Sequence, residues 1–179
     1  PIMESPAAKF LHTLVRLKNP SLFLEIGTAI GYSTIIAAAA APKAAKIYTI
    51  EKSKDNLKLA SEYIRKSGYE EKITLLEGDA AEILTGFGQK CDIIFLDADK
   101  EDYDELFTLS LNILADNGII LIDNLLWHGY TASKYVPEAY ENSTEIIRAF
   151  NNRIANLPGY EFTLLTIGDG LGLIMPAEK

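Results

Sequence analysis

Short apolar runs alternate with longer segments of helical spacing, and this alternation restricts the fold of the chain more than any other feature. The runs, rich in Ile, Leu and Phe, cover 21–27, 46–51, 73–79, 91–98, 118–124, 160–168 and 170–176. The segments between the first five runs are predicted to be helices, at about 31–41, 53–67, 80–86 and 101–115. Strands that are apolar along their whole length and alternate with helices form parallel sheets covered on both faces. The sequence therefore predicts an α/β fold.

The end of the chain predicts one departure from a purely parallel sheet. The runs 160–168 and 170–176 are too close for a crossover helix, so they must form a hairpin in which one strand is antiparallel to the rest. A further helix is predicted at about 138–156, with Pro137 near its start and Pro158 beyond its end. The expected architecture is a seven-stranded, mostly parallel sheet with a C-terminal antiparallel hairpin and helices on both faces.

Length and composition exclude several classes of protein. The 179 residues form one domain, taken here as 1–179, and the chain carries a net charge of −8. Cys91 is the only cysteine, which rules out an internal disulfide and a zinc site and favours the reducing cytoplasm. No apolar stretch is long enough to span a membrane, and the first residues lack the pattern of a signal peptide. The acidic balance disfavours binding to nucleic-acid phosphates, although a local basic patch is compatible with it.

Acidic and amide side chains stand where the predicted strands end. These residues are Glu25, Glu51, Asp79, Asp97, Asp99, Asp123 and Asn124. Ligands of open parallel sheets bind beyond the carboxyl ends of the strands. Each of these residues alone is compatible with a helix cap or a turn, but the whole set favours a ligand site at this edge.

The first turn, EIGTAIGYS, indicates the kind of ligand. It has neither the G-x-G-x-x-G spacing of dinucleotide sites nor the G-K-S/T of phosphate-binding loops. Glu51 ends the second predicted strand, where a carboxylate can accept hydrogen bonds from both ribose hydroxyls of a nucleoside. A nucleoside cofactor without an essential pyrophosphate fits these features, and S-adenosylmethionine is such a cofactor.

Several strings together resemble a known enzyme superfamily. They are LEIGTAIGYST, YTIEKS, EGDA, DIIFLDADKEDY, LIDNLLWHG and IGDGLGL, and they cover nearly the whole chain in matching order. They resemble the catechol and caffeoyl-CoA O-methyltransferases, which have a Rossmann-like class I methyltransferase fold. The N-terminal part is most similar to the bacterial branch that contains the tRNA 5-hydroxyuridine methyltransferases.

The resemblance implies a set of cofactor-binding residues. Around S-adenosylmethionine it places Met3, Glu25, Gly27, Gly31, Tyr32, Ser33, Glu51, Asp79, Ala80 and Asp97. Ile2 and Met3 would cross the methionine end, Glu51 would hold the ribose, and Asp79 with Ala80 would flank the adenine. Packing within a helix is an alternative role for Tyr32.

The same resemblance implies a metal site and a base. Asp97, Asp123 and Asn124 would bind a divalent cation, and such oxygen donors suit Mg²⁺, with Mn²⁺ or Ca²⁺ as alternatives. Lys100 matches the general base, which would act beside Asp97. The resemblance also implies a homodimer, and family members have further helices before the segment that corresponds to Pro1.

The methyl acceptor is the least determined feature. The leading hypothesis is a catechol-like small molecule with vicinal metal-chelating oxygens. The alternatives are 5-hydroxyuridine in tRNA and, from another class, a non-catalytic nucleoside-binding module. Trp127, His128 and Tyr130 are candidates for a wall beside a planar substrate, although Trp127 is more often a core or interface residue at such a position. Thr163 falls near the place where the animal catechol enzymes have a substrate-binding glutamate, and this departure disfavours recognition of a plain catechol.

Overall fold

The strands predicted from the apolar runs pair into a seven-stranded sheet in the order β3-β2-β1-β4-β5-β7-β6. The computed structural model describes residues 3–178. The strands are β1 (Leu22–Ile26), β2 (Lys46–Glu51), β3 (Ile73–Glu77), β4 (Cys91–Leu96), β5 (Leu114–Ile122), β6 (Tyr160–Leu165) and β7 (Leu171–Pro176). The helices are α1 (Ser5–Lys18), α2 (Tyr32–Ala40), α3 (Lys54–Ser67), α4 (Ala80–Thr85), α5 (Tyr103–Ile113) and α6 (Glu141–Ala155). Short 3₁₀ turns cover Lys100–Asp102, Tyr130–Ala132 and Glu138–Tyr140.

The pairing confirms the predicted mixture of parallel and antiparallel strands. The first five strands are mutually parallel, and β7 pairs antiparallel with both β5 and β6. The antiparallel member of the predicted hairpin is therefore β7. Because of this topology, β1, β2, β3, β4 and β5 all end at the same edge of the sheet.

Two predicted boundaries are wrong. The helix expected at 101–115 ends at Ile113, and β5 begins at Leu114 instead of Gly118. Leu114 pairs with Cys91 before an irregularity in the register, which makes β5 longer than its apolar run. The helix expected at 138–156 begins as a 3₁₀ turn and becomes α-helical at Glu141.

Helices cover both faces of the sheet, as predicted. Successive residues of β4 alternate between two cores: Ile93 packs with α1, α2 and α3, whereas Ile94 packs with α4, α5 and α6. Cys91 is fully buried, and burial raises the pKa of its thiol to about 12, in agreement with a structural cysteine. In residues 3–178 no helix is long and apolar enough to cross a membrane.

Candidate active site

A cavity of about 750 Å³ lies at the carboxyl edge of the sheet. Several predicted site residues line it, namely Gly27, Glu51, Asp79, Ala80, Asp97, Lys100 and Asn124. A smaller pocket is lined by Met3, Tyr32 and Ser33 together with Gly27 and Asp97, which belong to both spaces. The topology thus brings Gly27 and Asn124, which are 97 positions apart in sequence, to the wall of one cavity. Ile2 lies outside the described residues.

Gly27 allows the first turn to approach β4 closely. Its φ is +99°, and an ideal Cβ at this position would lie 1.9 Å from the backbone oxygen of Asp97. Any other residue would therefore clash with the strand end that carries Asp97. Gly31 has a different role: with φ of +85° it precedes α2 as its N-cap and lines neither cavity.

Glu51 is held in place by the protein and still faces the cavity. Its Oε1 accepts from the backbone N–H of Ser53 at 2.8 Å, and its Oε2 accepts from that of Ala29 at 2.9 Å and from the amide of Asn56 at 3.3 Å. A carboxylate has about four acceptor positions, so these three bonds leave capacity for a ligand hydroxyl. The position suits the expected contact with a ribose.

Glu25 lies beneath the first turn and lines neither cavity. Its Oε2 accepts hydrogen bonds from the hydroxyls of Thr34 and Thr49, while Oε1 has no partner among the described residues. Complete burial raises the pKa of this carboxyl to about 7. Its role in cofactor binding stays a prediction, and the structure places it behind the cavity wall.

Asp79 combines two roles that the sequence presented as alternatives. Its Oδ1 accepts from the backbone N–H of Glu82 at 3.1 Å and so caps α4. The same residue lines the large cavity beside Ala80. Capping fixes this carboxylate at the edge where the adenine is expected.

Lys100 is nearly buried at the start of the 3₁₀ turn after β4. Its Nζ donates to Oδ1 of Asn124 at 2.7 Å and to the hydroxyl of Tyr103, and it lies 3.5 Å from Oδ1 of Asp97. Burial lowers the pKa of Lys100, while the negative charges of Asp97 and Asp123 act in the opposite direction. A lysine with a lowered pKa can accept a proton closer to neutral pH.

Asp97, Asp123 and Asn124 offer oxygen atoms in a confined space. Burial and the nearby charge of Asp97 raise the pKa of Asp123 to about 7, and Oδ1 of Asp123 accepts from the backbone N–H of Asn124 at 2.7 Å. A cation would relieve the repulsion between the two carboxylates, and this donor set fits a hard divalent ion. Among residues 3–178 no three His, Cys, Asp or Glu side chains form a metal-binding group, so such an ion would also need the amide oxygen and water.

Asp169 lies beside this site, although it is not among the residues predicted for the site from the sequence. Its Oδ2 lies 3.4 Å from Nδ2 of Asn124, and its Oδ1 accepts from the backbone N–H of His128. Thr163, in contrast, is exposed on the edge strand β6 and lines neither cavity. Asp169 reaches the site because it stands in the turn before β7, the strand that pairs with β5.

The segment after Asn124 forms an aromatic wall at one end of the cavity. Trp127 is half-buried and lines the cavity with His128, so it does not belong to the buried core, and a role at an interface stays a prediction. The ring centroids of Trp127 and His128 are 5.2 Å apart, and Tyr140 lies 5.6 Å from His128. The wall faces Lys100, whose Nζ is 5.7 Å from the centroid of the Trp127 ring.

Comparison with known proteins gives consistent results. Residues 2–176 match the family described as O-methyltransferase. The chain is 34% identical over 170 residues to a tapetum-specific methyltransferase of Arabidopsis thaliana, covering 92% of this chain and 73% of that protein. It is 31% identical over 173 residues to a caffeoyl-CoA O-methyltransferase of Populus kitakamiensis, covering 92% and 74%.

A solved structure supports the same assignment. The O-methyltransferase TomG of Streptomyces achromogenes, in complex with SAM, superposes with a TM-score of 0.87 at 27% identity. The match covers 99% of this chain and 82% of TomG.

Proposed function

The chain belongs to the O-methyltransferase family, and from this premise we propose that it methylates a small acceptor with two adjacent oxygens, with the help of a divalent cation. S-adenosylmethionine is the methyl donor. The observation that carries the proposal is the convergence of Lys100, Asp97 and Asn124 at the wall of one cavity, with Nζ of Lys100 2.7 Å from Oδ1 of Asn124. A site that only bound a nucleoside would not need a buried lysine beside such oxygen donors.

Two bound groups would supply the reactive chemistry. S-adenosylmethionine provides an electrophilic methyl group on a sulfonium, and a divalent ion held by Asp97, Asp123 and Asn124 would lower the pKa of an acceptor hydroxyl. The proposed cofactor contacts are Glu51 at the ribose and Met3, Tyr32 and Ser33 at the methionine end. The acidic cavity edge also favours a cationic cofactor.

The chain itself positions the reactants and moves one proton. Lys100 takes the proton from the acceptor hydroxyl, and Asp97, 3.5 Å from the ammonium, stabilises the protonated lysine. Trp127 and His128 confine the acceptor against this lysine and exclude water. Alignment of the nucleophilic oxygen with the methyl group, at roughly 3–3.5 Å, supplies a large part of the acceleration.

A second candidate is methylation of 5-hydroxyuridine in tRNA, which the resemblance to the bacterial branch favours. The 5-hydroxyl and the 4-carbonyl would then be the two adjacent oxygens. Against it, two arginines already bind groups of the protein: Arg148 binds backbone carbonyls, and Arg153 pairs with Asp104 at the surface. Phosphate binding depends on available Lys and Arg, so the small acceptor remains the leading proposal.

The test is a labelling experiment. The protein is incubated with methyl-labelled S-adenosylmethionine and Mg²⁺, with caffeate in one sample and tRNA that lacks the modification in another. We expect label in caffeate that disappears when EDTA is added. Label in tRNA alone would refute the small acceptor and support the second candidate. Binding of the cofactor without transfer to either acceptor would favour a binding module.

A further inference from the structure

One arginine of α6, Arg148, binds three backbone carbonyl groups in the segment that follows Trp127 and His128. Nη2 of Arg148 donates to the carbonyl oxygens of Tyr130 at 2.9 Å and Ser133 at 2.6 Å, and Nε donates to that of Thr131 at 3.2 Å. Nη1 donates to Glu145 at 2.6 Å. A guanidinium has five donors in a rigid planar fork, whereas a lysine ammonium cannot reach three carbonyls with this geometry.

The backbone that Arg148 holds continues directly from the cavity wall. Trp127 and His128 have φ values of +49° and +56°, a left-handed conformation that is unfavourable for residues other than glycine. Such residues keep this conformation only when their surroundings enforce it. The carbonyl groups that Arg148 binds belong to residues two to five positions after His128. Arg148 therefore restricts the wall from its C-terminal side.

Other contacts of α6 act on the same segment. Nε1 of Trp127 donates to the hydroxyl of Ser143 at 3.0 Å, and Nδ2 of Asn151 donates to the carbonyl of Leu125 at 2.8 Å. Phe150 and Ile154 of α6 pack into the core below the sheet, and Ile147 is buried as well. Because these apolar residues attach the helix to the sheet, the polar contacts of Arg148 are not needed to keep α6 in place.

We propose that Arg148 is a positioning residue for the methyl acceptor. It does not line the cavity, and it acts through the segment that holds Trp127 and His128 opposite Lys100. Without Arg148 the wall would be less ordered, and the acceptor would have to order this segment when it binds. The conformational entropy lost in that step would lower the affinity for the acceptor. The inference rests on the proposed function, since it takes the acceptor to lie between this wall and Lys100.

The test compares Arg148→Met and Arg148→Lys with a matched control, Arg153→Met. Arg153 lies on the same helix, but it contacts Asp104 and Thr108 of α5 instead of the wall segment. With caffeate and Mg²⁺, we expect Arg148→Met to raise the acceptor KM about tenfold, a change typical of losing a preordered loop. The affinity for S-adenosylmethionine should not change, and Arg153→Met should keep the wild-type acceptor KM. Arg148→Lys should lie between wild type and Arg148→Met.

A second readout needs no turnover. Trp127 is the only tryptophan of the chain, so its fluorescence reports the wall directly. In the protein without ligands, Arg148→Met should increase quenching by acrylamide and shift the emission to longer wavelength, while Arg153→Met should change neither. If the wild type methylates no acceptor, the proposed function fails, yet the quenching comparison still decides whether Arg148 holds the wall.

Two results would overturn the inference. One is unchanged quenching and an unchanged acceptor KM in Arg148→Met. The other is an equal loss of acceptor affinity, cofactor affinity and thermal stability, because Arg148 would then support the whole fold. If Arg148→Met does not fold, Arg148→Lys decides by the same readouts.

Discussion

Nζ of Lys100 donates a hydrogen bond to Oδ1 of Asn124 at 2.7 Å, so the proposed base and a proposed cation ligand are in direct contact. The hydroxyl of Tyr103 extends this contact to the neighbouring residue, since it accepts from Lys100 and donates to the backbone oxygen of Asp123 at 3.0 Å. Proton transfer by Lys100 and cation binding by Asn124 are therefore expected to influence each other. Substitutions of the base and of the cation ligands should still differ in their effects on turnover.

Replacement of the lysine should affect catalysis and not cofactor binding. We expect Lys100→Met to reduce kcat about 10²–10⁴-fold, the range typical of losing a general base. The affinity for S-adenosylmethionine, measured by calorimetry, should be retained because Gly27 and Glu51 are unchanged. Lys66→Met is the control, since Lys66 forms an exposed pair with Glu62 on α3. A rate for Lys100→Met within tenfold of wild type would remove Lys100 from the mechanism.

Asp123→Asn should change activity and stability in opposite directions. Loss of a proposed cation ligand should lower Mg²⁺-dependent turnover at least about 100-fold. At pH 8 the metal-free variant should unfold at a higher temperature than wild type, because burial raises the pKa of Asp123 to about 7 and ionisation there opposes folding. Asp116→Asn, at an exposed position, serves as the control. Parallel loss of turnover and cofactor affinity would instead place Asp123 in the cofactor site.

Gly27→Ala should destabilise the protein and weaken cofactor binding together. The added Cβ would meet the backbone oxygen of Asp97 at 1.9 Å, and the φ of +99° is unfavourable for alanine. Overpacking and backbone strain together should lower the free energy of unfolding by at least about 2 kcal/mol in a urea titration. Gly88→Ala is the matched control, because a Cβ there meets nothing within 4 Å. Equal stability of the two variants would contradict the close approach of the first turn to β4.

Glu25→Gln should reduce the dependence of stability on pH. The pKa of Glu25 is raised to about 7 by burial, so the folded state binds its proton more tightly than the unfolded state does. The resulting stabilisation is complete below about pH 4 and is lost as the pH rises through 7, by at most about 1.4 kcal/mol per pH unit. Urea titrations of the metal-free protein between pH 5 and 8 should show that the free energy of unfolding decreases less with rising pH for Glu25→Gln than for wild type. Glu70→Gln, on the exposed surface, controls for the change in net charge. Parallel curves for wild type and Glu25→Gln would show that Glu25 keeps an ordinary pKa.

The predicted strands, helices and mixed sheet are confirmed. They could be predicted because they depend on patterns that are local in the sequence. Apolar runs of strand length and intervening amphipathic segments carry this information residue by residue. The two wrong boundaries, at Leu114 and Glu141, lie where a strand pairs beyond its apolar run and where a helix begins as a 3₁₀ turn. Such limits depend on neighbouring strands and loops more than on the residues themselves.

The candidate site was predictable where its residues end a strand. Asp97, Lys100, Asp123 and Asn124 follow β4 and β5, and parallel topology alone brings these positions to one edge. Glu25 shows the limit of this reasoning, because it also belongs to the end of a strand but its side chain lies beneath the cavity, against Thr34 and Thr49.

The sequence by itself determined the α/β class, the edge of the sheet at which the polar residues meet, and the family resemblance that the comparisons confirmed. Only the tertiary structure decided that Asp169 lies beside Asn124, and that Arg148 binds the backbone behind Trp127. Periodicity and strand ends are local or topological properties that a sequence records directly. Contacts between a hairpin turn, a loop and one face of a helix depend on how those elements pack. The spacing of the residues along the chain does not reveal this packing.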